Sequence, residues 1–469
     1  MGCCFFVSDA SLGSICEHLG AKQKPRLATV NEGKCVTLRP YILSNKMRKL
    51  FIPFALLCLC TASPAQTTKQ EVLSKIEYAG SNYFSYPGGH RITPAPKGYV
   101  PFYISHYGRH GSRYMVSNRA YHNMLPLFEK AEKEGKLTKL GQQVYVKLKK
   151  AYANAHLHGG ELTALGGRQH EGIAERMYKN YPEVFVHDSR VEASSTMVHR
   201  CQESMQFFCG KLKHLNHDVN IQQRTTNDDR YFMRIDDVEV PEGALQKDID
   251  KRMSEINDSL RRTVKLAPRL FTDPRFVEEN LKDPLQLVKD FYDISQDMQC
   301  LPELKINFKG IFTKDELFDL WRVANNGWVR GQGFIQGATP NYRKHYNLLH
   351  NFLDRADEAI SKNQKGAALR FGHDSYIVPL AFIMQFDGSR DFPTVNHLED
   401  LYQYYASFKI TPMAANIQFI FYRNPGSDDI LVKFLLNEVE QHIPLKTDMW
   451  PYYHWTDVKR YYEQRMASF

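Results

Sequence analysis

Residues 99–113 read YVPFYISHYGRHGSR, and this stretch decides the fold that the sequence predicts. Its first part, residues 99–105, is apolar and rich in aromatic and β-branched side chains, which is typical of a short buried strand. Its last part, residues 108–113, places two arginines and a histidine directly after that strand. Ligands of α/β sheets bind at the carboxyl ends of the strands, so the stretch predicts a functional loop at such an end.

Two later segments show the same order of a short strand followed by polar side chains. Residues 190–193 form a predicted strand that leads into a Ser-Ser-Thr cluster and then a helix, with Arg200 close to the helix start. Residues 368–371 form another predicted strand, which leads into His373 and Asp374. Because ligands bind at the carboxyl ends of strands in an α/β sheet, we expect the three polar segments to converge in one crevice.

The chain of 469 residues is long enough for one large domain or two closely joined ones. Strand and helix patterns alternate over residues 99–215 and again over residues 365–469, which predicts an α/β core built from both parts. Residues 216–364 are charged and mostly helical in pattern, without a clean strand, so we predict that they form an inserted α-helical cap. Residues 66–98 are polar and are predicted to be a linker.

The N-terminal part of the sequence predicts export. Residues 47–65 combine a basic start, an apolar run at residues 50–60 and a small-residue cleavage site, which is the order of a secretory signal peptide. The run is shorter than the roughly 20 residues that cross a bilayer, so no stable membrane span is predicted. Residues 1–46 show no helical or strand period and are interpreted as a non-native extension. We expect a periplasmic or secreted protein, with an outer-membrane lipoprotein anchored at Cys58 or Cys60 as the alternative.

The composition excludes several classes of protein. Charged residues make up 24% and hydrophobic residues 43%, as in an ordinary soluble domain. The whole chain has a net charge of +9, but residues 66–469 carry 53 Lys and Arg against 49 Asp and Glu, a net charge of +4. This mild surplus suits an anionic small-molecule substrate and is too weak to predict a nucleic-acid partner. A GQG segment at residues 331–333 lacks both a preceding strand and a third glycine, so no dinucleotide cofactor is predicted. No histidine or carboxylate pair lies on one face of a predicted helix, so no metal site is predicted.

Three cysteines follow the predicted cleavage point: Cys201, Cys209 and Cys300. They allow at most one disulfide, so the fold is not expected to depend on a disulfide framework. Cys201 and Cys209 belong to a helix with an apolar stripe, which favours core packing over a metal or redox role.

The residue types at the three strand ends suit phosphoryl transfer. That reaction needs groups that hold the non-bridging oxygens and neutralise the charge of the transition state, and planar guanidinium groups do both. A neutral imidazole nitrogen is a competent nucleophile that divides hydrolysis into two easier displacements. A carboxylic acid can supply the proton that the leaving oxygen needs. Gly111 lets the backbone turn beside the histidine and leaves room for a phosphate.

These motifs resemble those of a known family. The Arg-His-Gly-x-Arg sequence at residues 109–113, the single Arg200 at a helix start, and the late His373 and Asp374 are similar to the histidine phosphatase superfamily. Within it they resemble the branch of histidine acid phosphatases, phytases and multiple inositol polyphosphate phosphatases, including the bacterial proteins of the last type. The resemblance covers roughly residues 96–469.

The resemblance implies an α/β histidine phosphatase core with an inserted α-helical cap. It also implies that His110 is the nucleophile and Asp374 the proton donor, with no metal or cofactor in the reaction. The residues implied to bind the substrate phosphate are Arg109, Arg113, Arg200 and His373. The implied substrate is a small phosphomonoester, with an inositol polyphosphate such as phytate as the first choice.

The sequence departs from the family pattern at three positions. Met115 stands where the first motif usually ends in Pro, and Ser112 lacks the acidic or Gln side chain of the mutase-like branch, which disfavours phosphoglycerate mutase. The segment HDS at residues 373–375 stands where multiple inositol polyphosphate phosphatases usually have His-Ala-Glu. Two alternative functions stay open: a broad-specificity histidine acid phosphatase, and a catalytically silent protein that binds a phosphate ligand. The presence of both His110 and Asp374 argues against the silent protein.

Overall fold

The structure is a computed structural model that describes residues 67–225, 228–233 and 238–467. The predicted extension at residues 1–46 and the predicted signal peptide at residues 47–65 lie outside the described residues. Within the described ranges, no helix has the length and apolar character that a membrane crossing requires.

One mixed sheet organises the fold. Its strands in chain order are β1 Val100–Arg109, β2 Arg190–Ser195, β3 Asn220–Arg224, β4 Gly366–Gly372, β5 Asn416–Arg423, β6 Ile430–Leu436, β7 Val439–Glu440 and β8 Tyr452–His454. They lie in the order β3-β2-β4-β1-β5-β6-β7, and β8 pairs with β6. The four strands β3, β2, β4 and β1 run parallel, and the remaining pairings are antiparallel.

Helices surround this sheet. In chain order the described α-helices are α1 Thr68–Ser74, α2 Arg119–Lys133, α3 Lys139–Ala155, α4 Ala164–Asn180, α5 His199–Leu215, α6 Gln246–Arg262, α7 Ala267–Leu270, α8 Arg275–Asn280, α9 Leu285–Asp297, α10 Lys314–Gln332, α11 Tyr346–Ser361, α12 Asp374–Met384, α13 Ser407–Ile410 and α14 Trp455–Ala467. Helices α6 to α11 all lie between β3 and β4 in the chain. The core and cap boundaries given above stay predictions.

The central strands are buried on both faces. Strand β4 is buried at all seven positions, and β1 is buried at every position except its first. Such burial is expected where helices cover both sides of a parallel sheet. Strand β1 extends to Arg109, four residues beyond the predicted strand end, because residues 106–109 continue to pair with β4 and residues 106–108 also pair with β5. The predicted core packing of Cys201 and Cys209 is confirmed, since both thiols are buried and free.

Strand β3 corrects the prediction that residues 216–364 contain no strand. It pairs in parallel with the edge of β2, from Arg190 opposite Asn220 to Ser194 opposite Arg224. Four of its five side chains are polar, and all but that of Ile221 are exposed. An edge strand can form through backbone hydrogen bonds without an apolar pattern, so the hydrophobic periodicity gave no signal for it.

Of the predicted linker at residues 66–98, residues 87–98 are mostly exposed, but residues 67–86 are packed against the core. They contain α1, whose capping box joins Thr67 and Gln70, and a 3-10 helix at Ile76–Tyr83. Val72 and Ala79 are fully buried in a hydrophobic cluster with side chains of α2, α9 and α10. The elements are too short to show a clear period in the sequence, and polar residues separate their few apolar side chains. The packing brings Asn82 and Tyr83, near the end of the 3-10 helix, to the carboxyl edge of the sheet.

Candidate active site

The predicted convergence of the three polar segments is confirmed. Parallel pairing of β1 with β4 places Arg109 opposite Gly372, and pairing of β2 with β4 places Ser195 opposite Phe371. Three strands therefore end at the same level of one edge. His110 follows β1 directly, α12 begins at Asp374 just after β4, and Arg200 is the second residue of α5. The first turns of α5 and α12 add the positive ends of two helix dipoles to this edge.

The loop after β1 is fixed by hydrogen bonds to α4 and α5. Ser204 Oγ accepts from the backbone N–H of Gly111 at 3.1 Å, and Gln169 Oε1 accepts from that of Ser112 at 2.8 Å. A Cβ on Gly111 would lie 2.6 Å from the Cα of Gly166 and would overlap the carbonyl oxygen of that residue. Gly111 is therefore needed for a close approach of two backbones, which corrects the interpretation that it makes room for a phosphate.

His110 is held as a neutral imidazole with one free nitrogen. Its Nδ1 lies 2.9 Å from the carbonyl oxygen of Gly111, and since a carbonyl only accepts, Nδ1 carries the proton. The lone pair is then on Nε2. Burial lowers the pKa of His110 far below its usual value, and the positive charges of three arginines lower it further: Arg109, Arg113 and Arg200. The ring therefore stays neutral and nucleophilic at mildly acidic pH.

Arg109 is fully buried and joined to Asp374. Its Nη1 donates to the carbonyl oxygens of Asn82 at 2.6 Å and Thr411 at 2.8 Å, and its Nη2 lies 2.8 Å from Asp374 Oδ2. Asn82 Nδ2 donates to the same carboxylate oxygen at 3.1 Å. Burial raises the pKa of Asp374, but Arg109 and the hydrogen bond from Asn82 outweigh it and hold the pKa below its usual value. Asp374 is therefore ionised in the free protein.

Arg113 and Arg200 approach His110 from the loop and from α5. Arg113 Nη1 donates to the carbonyl oxygen of Tyr114 at 2.9 Å, and its guanidinium lies 5.1 Å from the ring centre of Tyr83. Within the ranges that the structure describes, the guanidinium of Arg200 makes one hydrogen bond, a long contact of 3.5 Å to the carbonyl oxygen of Gly160. Among the described residues, the buried Nε groups of all three arginines lack a hydrogen-bond partner. Buried donors without partners are unfavourable, so these three fit an anion that accepts hydrogen bonds.

His373 completes the set of predicted site residues. Its ring centre lies 5.7 Å from that of His110, its Nε2 lies 3.3 Å from Thr196 Oγ1, and its backbone N–H donates to Tyr107 Oη at 3.1 Å. Burial and the charge of Arg200 lower the pKa of His373 to about 4. A neutral His373 can donate one hydrogen bond to an oxyanion.

Asn82 and Tyr83 contact the site, and no motif in the sequence identified them. Asn82 bonds to both members of the Arg109–Asp374 pair, and Tyr83 Oη accepts from Arg113 at 3.3 Å. Burial raises the pKa of Tyr83 to about 12, so its hydroxyl stays protonated. Over the described ranges, no group of three or more His, Cys, Asp or Glu side chains could hold a metal ion.

The sheet order and the strand-end site define the class of fold, which is that of the histidine phosphatases. No family model matches the chain. It is 19% identical to the multiple inositol polyphosphate phosphatase of Bifidobacterium longum, solved in complex with inositol hexasulfate, with a TM-score of 0.68 over 81% of this chain and 97% of the other. For the phytase from D. castellii the identity is 17% and the TM-score 0.63, over 87% and 89% of the two chains.

A curated relative agrees with these structures. The chain is 23% identical over 302 residues to multiple inositol polyphosphate phosphatase 1 of Gallus gallus, a match that covers 59% of this chain. The chain spans 63% of the length of that relative. The resemblance to multiple inositol polyphosphate phosphatases and phytases that the motifs predicted is thus confirmed.

Proposed function

We propose that this chain is a phosphomonoesterase that works through a phosphohistidine at His110. The observation that carries the proposal is a neutral imidazole with a free Nε2, surrounded by three arginines whose buried Nε groups have no hydrogen-bond partner in the described part of the chain. Guanidinium groups bind phosphate oxygens in pairs and keep their charge, so they suit both the bound phosphate and its transition state.

In the first step, His110 Nε2 attacks phosphorus and the bond to the leaving oxygen breaks. The arginines hold the non-bridging oxygens, and a neutral His373 donates a further hydrogen bond. Asp374 gives a proton to the leaving alkoxide. In the second step a water molecule, deprotonated by Asp374, displaces His110 and releases inorganic phosphate.

Asp374 must gain a proton before it can act as the acid, because it is ionised in the free protein. A phosphate that binds between Arg109 and Arg113 neutralises the charges that hold the pKa of Asp374 down, and it adds negative charge beside the carboxylate. Both effects raise the pKa of Asp374 in the complex. The proton can arrive with a phosphomonoester monoanion, which is the abundant form at mildly acidic pH.

For the substrate we propose an inositol polyphosphate such as phytate. The support is the similarity to the multiple inositol polyphosphate phosphatases and to the phytase from D. castellii. The segment HDS at residues 373–375 stands where multiple inositol polyphosphate phosphatases usually have His-Ala-Glu. The position on the inositol ring that this chain attacks first can therefore differ from the position that those proteins attack.

The test is phosphate release from a series of substrates with EDTA present, from p-nitrophenyl phosphate through sugar phosphates to phytate. We expect a kcat/KM that is highest for phytate and is abolished by His110→Ala. Equal kcat/KM values across the series would indicate a broad-specificity acid phosphatase. Release from no substrate by a folded protein would indicate a phosphate-ligand binding protein.

We also propose that the protein is exported after cleavage near Gln66, on the strength of the signal-like order of residues 47–65. N-terminal sequencing of the protein from its native cells should find a start near Gln66. A mature protein that retains residues 1–46 would contradict export.

A further inference from the structure

A cavity of about 260 Å³ opens between strands β2 and β4 and helix α11. None of the described residues that line it belongs to the proposed phosphate site. Its charged lining in the described part of the chain consists of three arginines and one carboxylate: Arg224, Arg355, Arg370 and Glu192. The volume is large enough for a tetrahedral oxyanion together with several water molecules. The cavity is therefore cationic, and the chemistry described above does not use it.

Arg370 is a fully buried cation whose partners are all neutral. Its Nε donates to Asn351 Oδ1 at 2.8 Å and its Nη1 donates to Ser105 Oγ at 2.9 Å, while its guanidinium lies 4.3 Å from the ring centre of Phe352. Its other hydrogen bonds go to backbone carbonyl oxygens, and no carboxylate in the described part of the chain pairs with it. A buried charge is unfavourable unless an opposite charge lies beside it.

The carboxylates nearest to the cavity already face other cations. Glu192 forms ion pairs with both Arg190 and Arg355. Glu358 forms ion pairs with Arg355 and with Lys362, the latter at 2.7 Å. Each of these two carboxylates is shared by two cations, so neither is available to neutralise the buried guanidinium in the cavity.

The guanidinium of Arg370 is charged and keeps a donor for a ligand. Burial lowers the pKa of Arg370 to about 10; Tyr103 acts against this shift and Arg355 adds to it. The side chain is therefore protonated at neutral pH. Among the described residues its Nη2 has one partner, the carbonyl oxygen of Asn351 at 3.4 Å, so the second N–H of Nη2 remains available.

We infer that this cavity binds a small inorganic oxyanion, such as sulfate or phosphate, as the counter-ion of Arg370. Guanidinium groups donate to oxyanions in pairs, and Arg355 can contribute a second one. Ser194 lies directly opposite Arg370 in the pairing of β2 with β4 and brings a hydroxyl to the same cavity. The bound anion stabilises the folded protein and takes no part in hydrolysis, so the inference does not depend on the proposed function.

The experiment supplies the missing negative charge from the protein itself. Ser194→Asp places a carboxylate opposite Arg370, and Ser194→Asn is the matched control of the same size without the charge. Urea unfolding is measured over a series of sodium sulfate concentrations. The slope of the free energy of unfolding against the logarithm of the sulfate concentration gives the number of sulfate ions lost on unfolding.

We expect the slope of the unmodified protein and of Ser194→Asn to exceed that of Ser194→Asp by about one sulfate ion. The general stabilising effect of sulfate and its binding at His110 are common to the three proteins, so both cancel in the difference. Arg370→Met removes the cation in place of adding an anion, and it should lose the same increment. Sodium chloride should give no such difference, since the site is sized for an oxyanion.

A structure of the unmodified protein tests the site without any substitution. In crystals soaked in sodium selenate, the anomalous signal of selenium should show one anion beside His110 and a second beside Arg370. Equal sulfate slopes in the unmodified protein and Ser194→Asp, or a cavity without selenate, would overturn the inference. An equal effect of chloride would overturn the assignment to an oxyanion. Neither measurement requires turnover, so a protein that hydrolyses no phosphate would refute only the proposed function.

Discussion

Burial and the polar neighbours of Asp374 shift the pKa of its carboxyl group in opposite directions. Burial favours its neutral form, while Arg109 and Asn82 favour the anion and prevail in the free protein. A substrate phosphate competes with Asp374 for Arg109. The same arrangement therefore keeps the acid in position while the site is free and raises its pKa when the phosphate arrives.

The first prediction concerns Asp374→Asn. Alkyl and inositol phosphates should lose about 10² to 10⁴ in kcat/KM, which reports the phosphorylation of His110, because their leaving oxygens need a proton. p-Nitrophenyl phosphate should lose much less, since its leaving anion is stable. Inorganic phosphate should bind more tightly, because the change removes a carboxylate that competes for Arg109. Steady-state kinetics and phosphate inhibition measure all three effects. Equal losses for both kinds of substrate would show that Asp374 does not act as the acid.

At the scale of elements, the loop after β1 is held against the start of α4. Thr163 caps α4 through its hydroxyl, which accepts from the backbone N–H of Gly166 at 3.3 Å, and its own backbone N–H donates to the carbonyl oxygen of Ser112 at 2.9 Å. The two backbones meet at Gly111 and Gly166, where neither residue can carry a Cβ. The position of His110 therefore depends on a helix that contributes no catalytic group.

The second prediction concerns Gly166→Ala. Its Cβ would lie 2.9 Å from the backbone nitrogen of Ser112 and would overlap the carbonyl oxygen of that residue, so the loop must shift. A displacement of about 1 Å at a reacting group can reduce the rate about 10²-fold, and we expect a loss of that order in kcat/KM for p-nitrophenyl phosphate.

Gly210→Ala on α5 is the control, because nothing lies within 4 Å of the added Cβ. It should retain activity and gain up to about 1 kcal/mol in the free energy of unfolding. Full activity in Gly166→Ala would contradict this role of α4.

The sequence predicted those strands and helices that a pattern of neighbouring residues indicates. Strands β1 and β4 are apolar runs that end directly at their motifs, and the rule for the carboxyl ends of strands then brought Arg109, His110 and Asp374 together. It did not predict Asn82 or Tyr83, because they lie near the end of a short 3-10 helix in a polar segment. Their positions depend on tertiary packing of that helix, which leaves no period in the sequence.

At the scale of the whole molecule, burial opposes ionisation at several sites. Burial raises the pKa of Asp297 to about 7, although Arg113 acts against the shift. It lowers the pKa of five buried or partly buried histidines: His106, His110, His170, His345 and His373. The histidines reduce stability as the pH falls below 6.5, because the unfolded chain then binds more protons. Asp297 acts in the opposite sense, because the folded protein keeps its proton up to about pH 7.

The third prediction follows from Asp297. As the pH rises from about 3.8 through 7, the unfolded chain releases this proton before the folded one does, so ionisation of Asp297 reduces the free energy of unfolding. Asp297→Asn lacks this effect. Urea unfolding at pH 4.5 and pH 8 should show the variant gaining a few kcal/mol relative to the unmodified protein at the higher pH. The exposed Asp428→Asn should show no such gain. A difference between Asp297→Asn and the unmodified protein that is the same at both pH values would contradict the raised pKa.

The central claim is that His110 attacks phosphorus, and trapping the intermediate tests it most directly. The protein is mixed with a ³²P-labelled phosphomonoester, quenched in base within milliseconds, digested and mapped. We predict a phosphate that is stable in base, labile in acid and attached to His110, and that is absent from His110→Ala. Turnover without labelled protein, or a label on another residue, would contradict the account.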